Sequence, residues 1–340
     1  MMNSQMKWLR AGCLTLTITV LLASAAAANT VDDAAVQAAR DAFIGEMVRA
    51  HGFEPVALAK LLATARIKPQ ILAAMSKPAE RTLEWHEYRK IFLTEERINA
   101  GLKFWGEHEG NLERISEQYS VAPEMIVAII GVETFFGRIT GKHRVLDALS
   151  TLAFAYPPRA KFFRSELEQF LLLVREEGVE PAAALGSYAG AMGAPQFIPS
   201  SYRAYAVDAS EDGKRDLWTD WVDVIGSVAN YFSRHGWRNG EPVVTQATLG
   251  SQFEGGQPSR KPKLDSTVGH LSQQGYVFSA ELPAEAAALA MHLNGGQGQE
   301  YWVGFHNFGV ITRYNRSILY ALAAHQLGQE ILARRSRNSS

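Results

Sequence analysis

One carboxylate in this sequence stands where a carboxylate is costly. Glu133 follows Ile126, Ile129 and Ile130 by seven, four and three residues, so helical spacing sets it on their apolar ridge. It falls in the last turn of that helix, where the dipole opposes negative charge, and Phe135 and Phe136 follow it. Desolvation and the dipole both raise the pKa of such a group, which is what a general acid needs near neutral pH. The same pattern also fits a buried glutamate paired with Arg138, Lys142 or Arg144.

A second constellation is Asp208, Ser210 and Asp212, followed by Gly213 and Lys214. Oxygen side chains at positions 1, 3 and 5, glycine at 6 and a backbone carbonyl at 7 make an EF-hand-like calcium loop. Its closing acid is irregular: Thr219 holds the place of the usual glutamate, and Asp220 and Asp223 come later, which implies an enlarged loop. A solvated turn capping the next helix fits the same residues. Other chemistries lack support. Gly137 to His143 miss the phosphate-loop spacing, the histidines show no paired metal spacing, and Ser187 has no G-x-S-x-G elbow. Tyr88, Gln196, Tyr231, Asn307, Phe308, Tyr314 and Asn315 suit a sugar groove, with rings for pyranose faces and amides for hydroxyl or acetamido groups.

The elements that must carry these residues are mainly helical. Val31 to Ala122 read as helices, the clearest being a stripe of Ile98, Leu102, Trp105, Leu112, Ile115 and Tyr119 on one helix of about 25 residues. Pro123 and Glu124 suit the first turn of the helix that bears Glu133, which should stop near Gly137. Further helices are predicted over Arg164 to Glu176, Val222 to His235 and Asn315 to Leu332, with a glycine-rich segment from Gly186 to Gln196. Residues 241–303 turn rich in Gly, Gln, Ser and Pro, and alternate at Val243 to Thr248 and Gly275 to Ser279, as a small β or α+β unit does.

Composition agrees. The 340 residues carry a net charge of −1, with 47% hydrophobic and 20% charged residues, which excludes disordered, collagen-like and strongly nucleic-acid-seeking chains. Residues 1–28 read as a signal peptide: Lys7 and Arg10, an apolar run from Ala11 to Leu22, then small residues with a cleavage site after Ala28. The run is too short for a membrane span. Cys13, the sole cysteine, stands at the front of that run, so the expectation is a soluble exported protein without a lipid anchor or disulfides.

Several separated motifs resemble the lytic murein transglycosylase B family: Ile129 to Gly137, Leu146 to Leu152, Gly186 to Gly193 with Gln196 to Tyr202, and Ile311 to Asn315. The resemblance implies an α+β, predominantly α fold. A helical N-terminal domain (29–120) would precede a lysozyme-like core (121–240), a small β domain (241–303) and a C-terminal segment (304–340) that returns to the core. It implies Glu133 as single catalytic acid/base, cleaving the MurNAc-β-1,4-GlcNAc bond of peptidoglycan and leaving 1,6-anhydro-MurNAc ends. Tyr88, Ser187, Gln196, Tyr231, Asn307, Phe308 and Tyr314 would line the glycan groove. Asp208, Ser210, Asp212, the Lys214 carbonyl and Asp223 would hold a structural calcium ion, with no cofactor needed for chemistry. A periplasmic monomer is implied, bound to glycan strands, with cell-wall synthesis proteins as further partners and no nucleic acid.

Two departures from the family pattern carry expectations. Gly309 stands where an aromatic residue is usual, which predicts a more open groove wall, and the calcium loop is one residue longer before its last ligand, which weakens the site. A hydrolytic muramidase would want a second acid, for which Asp147 is nearest in sequence. A non-catalytic peptidoglycan-binding protein would fit Gln or Ala at position 133.

Overall fold

The computed structural model describes residues 32–76, 83–258 and 261–338; the leader predicted over residues 1–28 lies outside them. Asp32 accepts the Ala34 and Ala35 N–H groups and starts α1 (Asp33–His51), which Gly52 ends at φ 64°. Three short helices follow, α2 (Pro55–Ala63), α3 (Pro69–Ser76) and α4 (Trp85–Phe92).

The single long helix expected through 98–119 is two, α5 (Glu95–Glu107) and α6 (Glu109–Tyr119), broken at His108 with φ −121° and ψ 19°. Gly106 and Gly110, weak helix formers, flank the break. The His108 ring packs there on Phe104 and Trp221, with ring centres 4.5 and 5.9 Å apart. The apolar stripe survives because each helix buries its share: Ile98 and Trp105 on one, Leu112 and Ile115 on the other.

Pro123 then opens α7 (Pro123–Thr134), buried on every side from Met125 to Val132. Strand β1 (His143–Arg144) leads into α8 (Val145–Ala155), and a 3₁₀ turn (Pro157–Arg159) into α9 (Ala160–Glu177), which packs along α8. Strand β2 (Leu185–Gly186) pairs antiparallel with β1, and α10 (Pro199–Tyr205) and α11 (Trp221–Arg234) complete this part.

A five-stranded antiparallel sheet follows, from β3 (Val244–Leu249), β4 (Ser266–Thr267), β5 (Tyr276–Val277), β6 (Ala287–Asn294) and β7 (Gln299–Gly304), in the order β4-β6-β7-β3-β5. Helix α12 (Val268–Gln273) sits between β4 and β5, and Leu271, Tyr276, Ala288, Val303 and Phe305 form a separate small core. Two helices, α13 (His306–Tyr314) and α14 (Ile318–Asn338), bring the chain back onto α7. The fold is α+β and predominantly helical, as the sequence implies.

Close approach at α7 depends on glycine. A Cβ on Gly131 would stand 2.7 Å from Phe136 Cζ and 3.2 Å from Leu327 Cδ2, and one on Gly101 would stand 3.1 Å from the same Phe136 ring. That ring is wedged between two helices, so Gly131→Ala should destabilise by about 1–3 kcal/mol through overpacking. The gain in helix propensity, about 1 kcal/mol, is smaller. Urea unfolding checks the sign; a variant more stable than the parent would show that the ring can move aside.

Candidate functional site

Between Met125 and Thr134 every residue except Glu133 is buried, so its carboxylate is the one half-buried group on that stretch of the helix. The helix ends abruptly after it. Phe135, Phe136 and Gly137 take φ of 51°, 56° and 81°, and the N–H groups of the two phenylalanines close onto the Gly131 and Ile130 carbonyls. Left-handed backbone costs a bulky residue about 1–2 kcal/mol, and the surroundings hold it in place. The Arg97 and Arg138 guanidinium groups each lie 4.6 Å from the Phe135 ring centre. The Thr134 hydroxyl donates to the Ala194 carbonyl at 2.9 Å and accepts the Gly137 N–H at 3.1 Å, which fixes this reversal against the glycine-rich segment.

Arg138 and Arg144, the arginines the sequence offers as ion-pair partners for Glu133, are engaged elsewhere: Arg138 meets Glu96 at 2.8 Å, and Arg144 meets Asp147 at 3.2 Å. Glu133 is met instead by Tyr320 of α14, whose hydroxyl donates to Oε1 at 2.6 Å. Burial raises the Glu133 pKa to about 7, and the Tyr320 hydrogen bond opposes the rise. Burial and the neighbouring Glu133 charge push the Tyr314 and Tyr320 phenols well above their ordinary range, so both stay protonated.

Aromatic residues gather beside the carboxylate. Tyr314 packs in tilted contacts against Tyr231 and Phe197, with ring centres 4.7 and 5.9 Å apart, and Tyr88, which packs on Phe92 at 5.3 Å, lies close to Tyr320. Their hydroxyls are less available than the sequence suggests: Tyr231 donates to the Arg313 carbonyl at 2.8 Å and Tyr314 to the Pro195 carbonyl at 2.6 Å. The Gln196 amide donates to the Thr140 and Gly193 carbonyls, which leaves its oxygen as the free acceptor. Ser187 Oγ accepts the Ala189 and Ala191 N–H groups and keeps its own proton to donate.

Two residues expected in the groove are not brought there. Asn307 is wholly buried and bonds the Arg238 N–H and the Arg238 and Glu241 carbonyls, and Phe308 is wholly buried beneath Gly304; both anchor α13. Nor does Gly309 leave an open wall, because a Cβ there would stand 3.1 Å from Leu264 Cδ1, which fills the place. The carboxylate of Asp147 is taken by the Arg66 N–H at 3.0 Å and faces Arg144 and Lys68. Tyr320 is the residue the sequence reading misses; the available signal was a lone hydroxyl on the face shared by Ala324, Leu327 and Ile331.

The acidic loop is tied by its own backbone. Asp208 accepts the Asp212 and Gly213 N–H groups, Asp212 that of Lys214, and Asp223 those of Ala209, Ser210 and Asp216. The donor types of Asp208, Ser210, Asp212 and the Lys214 carbonyl suit a hard cation. Both oxygens of Asp223 are engaged, however, and among the described residues no group of three or more acids, histidines or cysteines is arranged around a metal position.

Comparison with known proteins matches residues 35–329 to a transglycosylase SLT domain. Membrane-bound lytic murein transglycosylase B of Escherichia coli (strain K12) is 44% identical over 301 residues, covering 85% of this chain and 81% of that protein. The soluble lytic transglycosylase SltB1 of Pseudomonas aeruginosa superposes with a TM-score of 0.84 at 50% identity, over 87% of this chain and 99% of that one. E. coli Slt35, solved in complex with calcium, gives 0.80 at 43%, over 88% and 94%. These neighbours share a lysozyme-like fold. The E. coli relative is membrane-bound, which overturns the expectation of a soluble protein without an anchor. That expectation rested on the place of Cys13, which lies outside the described residues. Among the described residues, no helix is long and apolar enough to cross a membrane.

The raised pKa of Glu133 has a stability consequence of definite sign. Its folded pKa, about 7, exceeds the ordinary 4.5, so the contribution is intact below 4.5 and is lost as pH rises through 7. Glu133→Gln removes that loss. Urea melts should show the variant gaining on the parent between pH 4.5 and 7 by up to about 3 kcal/mol, then levelling; a pH-independent difference would contradict the raised pKa.

Proposed function

The chain belongs to the transglycosylase SLT domain family, and on that premise we propose that Glu133 alone serves as acid and base in cleaving the MurNAc-β-1,4-GlcNAc bond. The chain is a lytic murein transglycosylase acting on peptidoglycan. The observation that carries the finer reading is the half-buried Glu133 carboxylate, met by the Tyr320 hydroxyl, an environment whose burial pushes its pKa up to about 7. Protonated, it gives its proton to the glycosidic oxygen as the bond to C1 breaks. As a carboxylate it then takes the proton of the muramyl C6 hydroxyl, whose oxygen bonds C1 and closes a 1,6-anhydro ring.

An ordinary glycosidase divides these tasks between two carboxylates. Asp147, the candidate second acid, is 2% exposed and held by Arg144 and Lys68, which favours the one-carboxylate route. A C6 hydroxyl tethered to the reacting ring has a large effective concentration over water. The rings of Tyr231 and Tyr314, the Gln196 oxygen and the Ser187 hydroxyl are the groups available to hold that ring in place.

Digestion of purified peptidoglycan in oxygen-18 water tests this. The expected products end in unlabelled 1,6-anhydro-MurNAc, and Glu133→Gln should lose activity by at least about a hundredfold. Labelled reducing ends would make the enzyme a muramidase, and an active Glu133→Gln variant would remove Glu133 from the chemistry.

Calcium belongs to the same reading as a structural ion. Slt35 was solved with calcium, and the oxygen donors of Asp208, Ser210, Asp212 and Lys214 are of the kind that ion takes. Binding to the folded loop would stabilise by mass action. Calcium should therefore raise the melting temperature over that in chelator, and the rise should vanish in Asp208→Ala/Asp212→Ala. Equal melting in the parent would refute the site.

A further inference from the structure

We propose that Tyr320 is the positioning residue that decides which oxygen of Glu133 carries the catalytic proton, an inference that rests on Glu133 being the acid/base. The Tyr320 hydroxyl donates to Oε1 at 2.6 Å. With Oε1 occupied by that donor, the proton of the neutral acid resides on Oε2, the oxygen left to face the glycosidic bond. Tyr320 is 3% exposed, so it acts through Glu133 and does not touch the glycan.

Four neighbouring groups are engaged elsewhere. Tyr314 and Tyr231 spend their hydroxyls on the Pro195 and Arg313 carbonyls, and Arg138 and Arg144 are paired with Glu96 and Asp147. Backbone on the far side of the site is also committed, since the Ala194 carbonyl accepts from Thr134. The Tyr320 ring is fixed on α14, where its own N–H reaches Ser317 Oγ at 3.3 Å, and α14 packs along α7. Two rigid helices thus hold donor and acceptor in register.

The bond does more in the reaction than at rest. As the Oε2–H bond breaks and the proton passes to the glycosidic oxygen, negative charge appears on a carboxylate in a desolvated pocket, and the Tyr320 hydrogen bond becomes charge-assisted. When Oε2 takes the C6 hydroxyl proton, that charge disappears again. The phenol keeps its proton throughout, because burial and the adjoining carboxylate hold it far from ionising.

Tyr320→Phe tests this. Its kcat should fall by about 10- to 100-fold, with KM within about twofold of the parent. Since a donor to the carboxylate favours the charged form, removing it raises the Glu133 pKa, and the alkaline limb of kcat/KM should move to higher pH. An unchanged kcat overturns the proposal. So does a loss of activity with the alkaline limb unmoved, which is what a packing role alone would give.

A second arm covers misfolding of that variant: 3-fluorotyrosine placed at position 320 of the full chain nearly preserves volume and makes the hydroxyl a stronger donor. Its alkaline limb should move to lower pH, and a limb that stays or moves upward overturns the proposal. Glu133→Gln separates the two readings. Activity in that variant removes the acid/base premise itself, whereas an inactive Glu133→Gln with unmoved limbs in both Tyr320 variants removes only the role of Tyr320.

Discussion

A carboxylate that is to be neutral near pH 7 must be kept from water and from cations at once, and most of this structure can be understood from how that is done for Glu133. Helix α7 is buried on every side, so its last turn leaves only the Glu133 side chain a partial outlet. Arginines close in sequence are drawn off by Glu96 and Asp147, and two of the surrounding phenols give their hydroxyls to backbone carbonyls. The phenol that does meet the carboxylate is Tyr320, a neutral donor strong enough to orient the group and too weak to cancel the effect of burial.

Orientation needs as much support as acidity. The left-handed run through Phe135, Phe136 and Gly137 is strained, and it is held by two guanidinium groups, by the Thr134 hydroxyl and by a ring wedged against two glycines. Helix α11 joins two other parts of the molecule. Asp223, in its first turn, gathers both ends of the acidic loop, and Tyr231, two turns further on, packs at a tilt against Tyr314 beside the carboxylate. Order in the loop is thereby linked to the aromatic side of the site through one helix.

Much of this was legible in the sequence. The position of Glu133 followed from the spacing of Ile126, Ile129 and Ile130, and Pro123 marked the start of its helix, because both signals are local. The break at His108 was not legible: the apolar stripe runs through it, and the contacts with Phe104 and Trp221 that hold it are tertiary in part. The β6–β7 hairpin falls inside the unit expected over 241–303, but its strands were not legible individually, since Ala287 to Asn294 is rich in Ala, Leu and Met, which favour helix until strand pairing overrides them. For Asn307 and Phe308 the residue types fitted a groove, but burial in α13 decides otherwise. Tyr320 lies 187 residues from its partner, and no spacing rule spans that distance.

The central claim is that burial holds Glu133 protonated until near neutral pH, and the most direct test is to titrate that one carboxyl in the free enzyme. Infrared difference spectra of the parent against Glu133→Gln isolate its protonated C=O band from the other acids. The account requires that band to persist through pH 6 and convert to carboxylate around 7. Conversion near the ordinary 4.5 would contradict it.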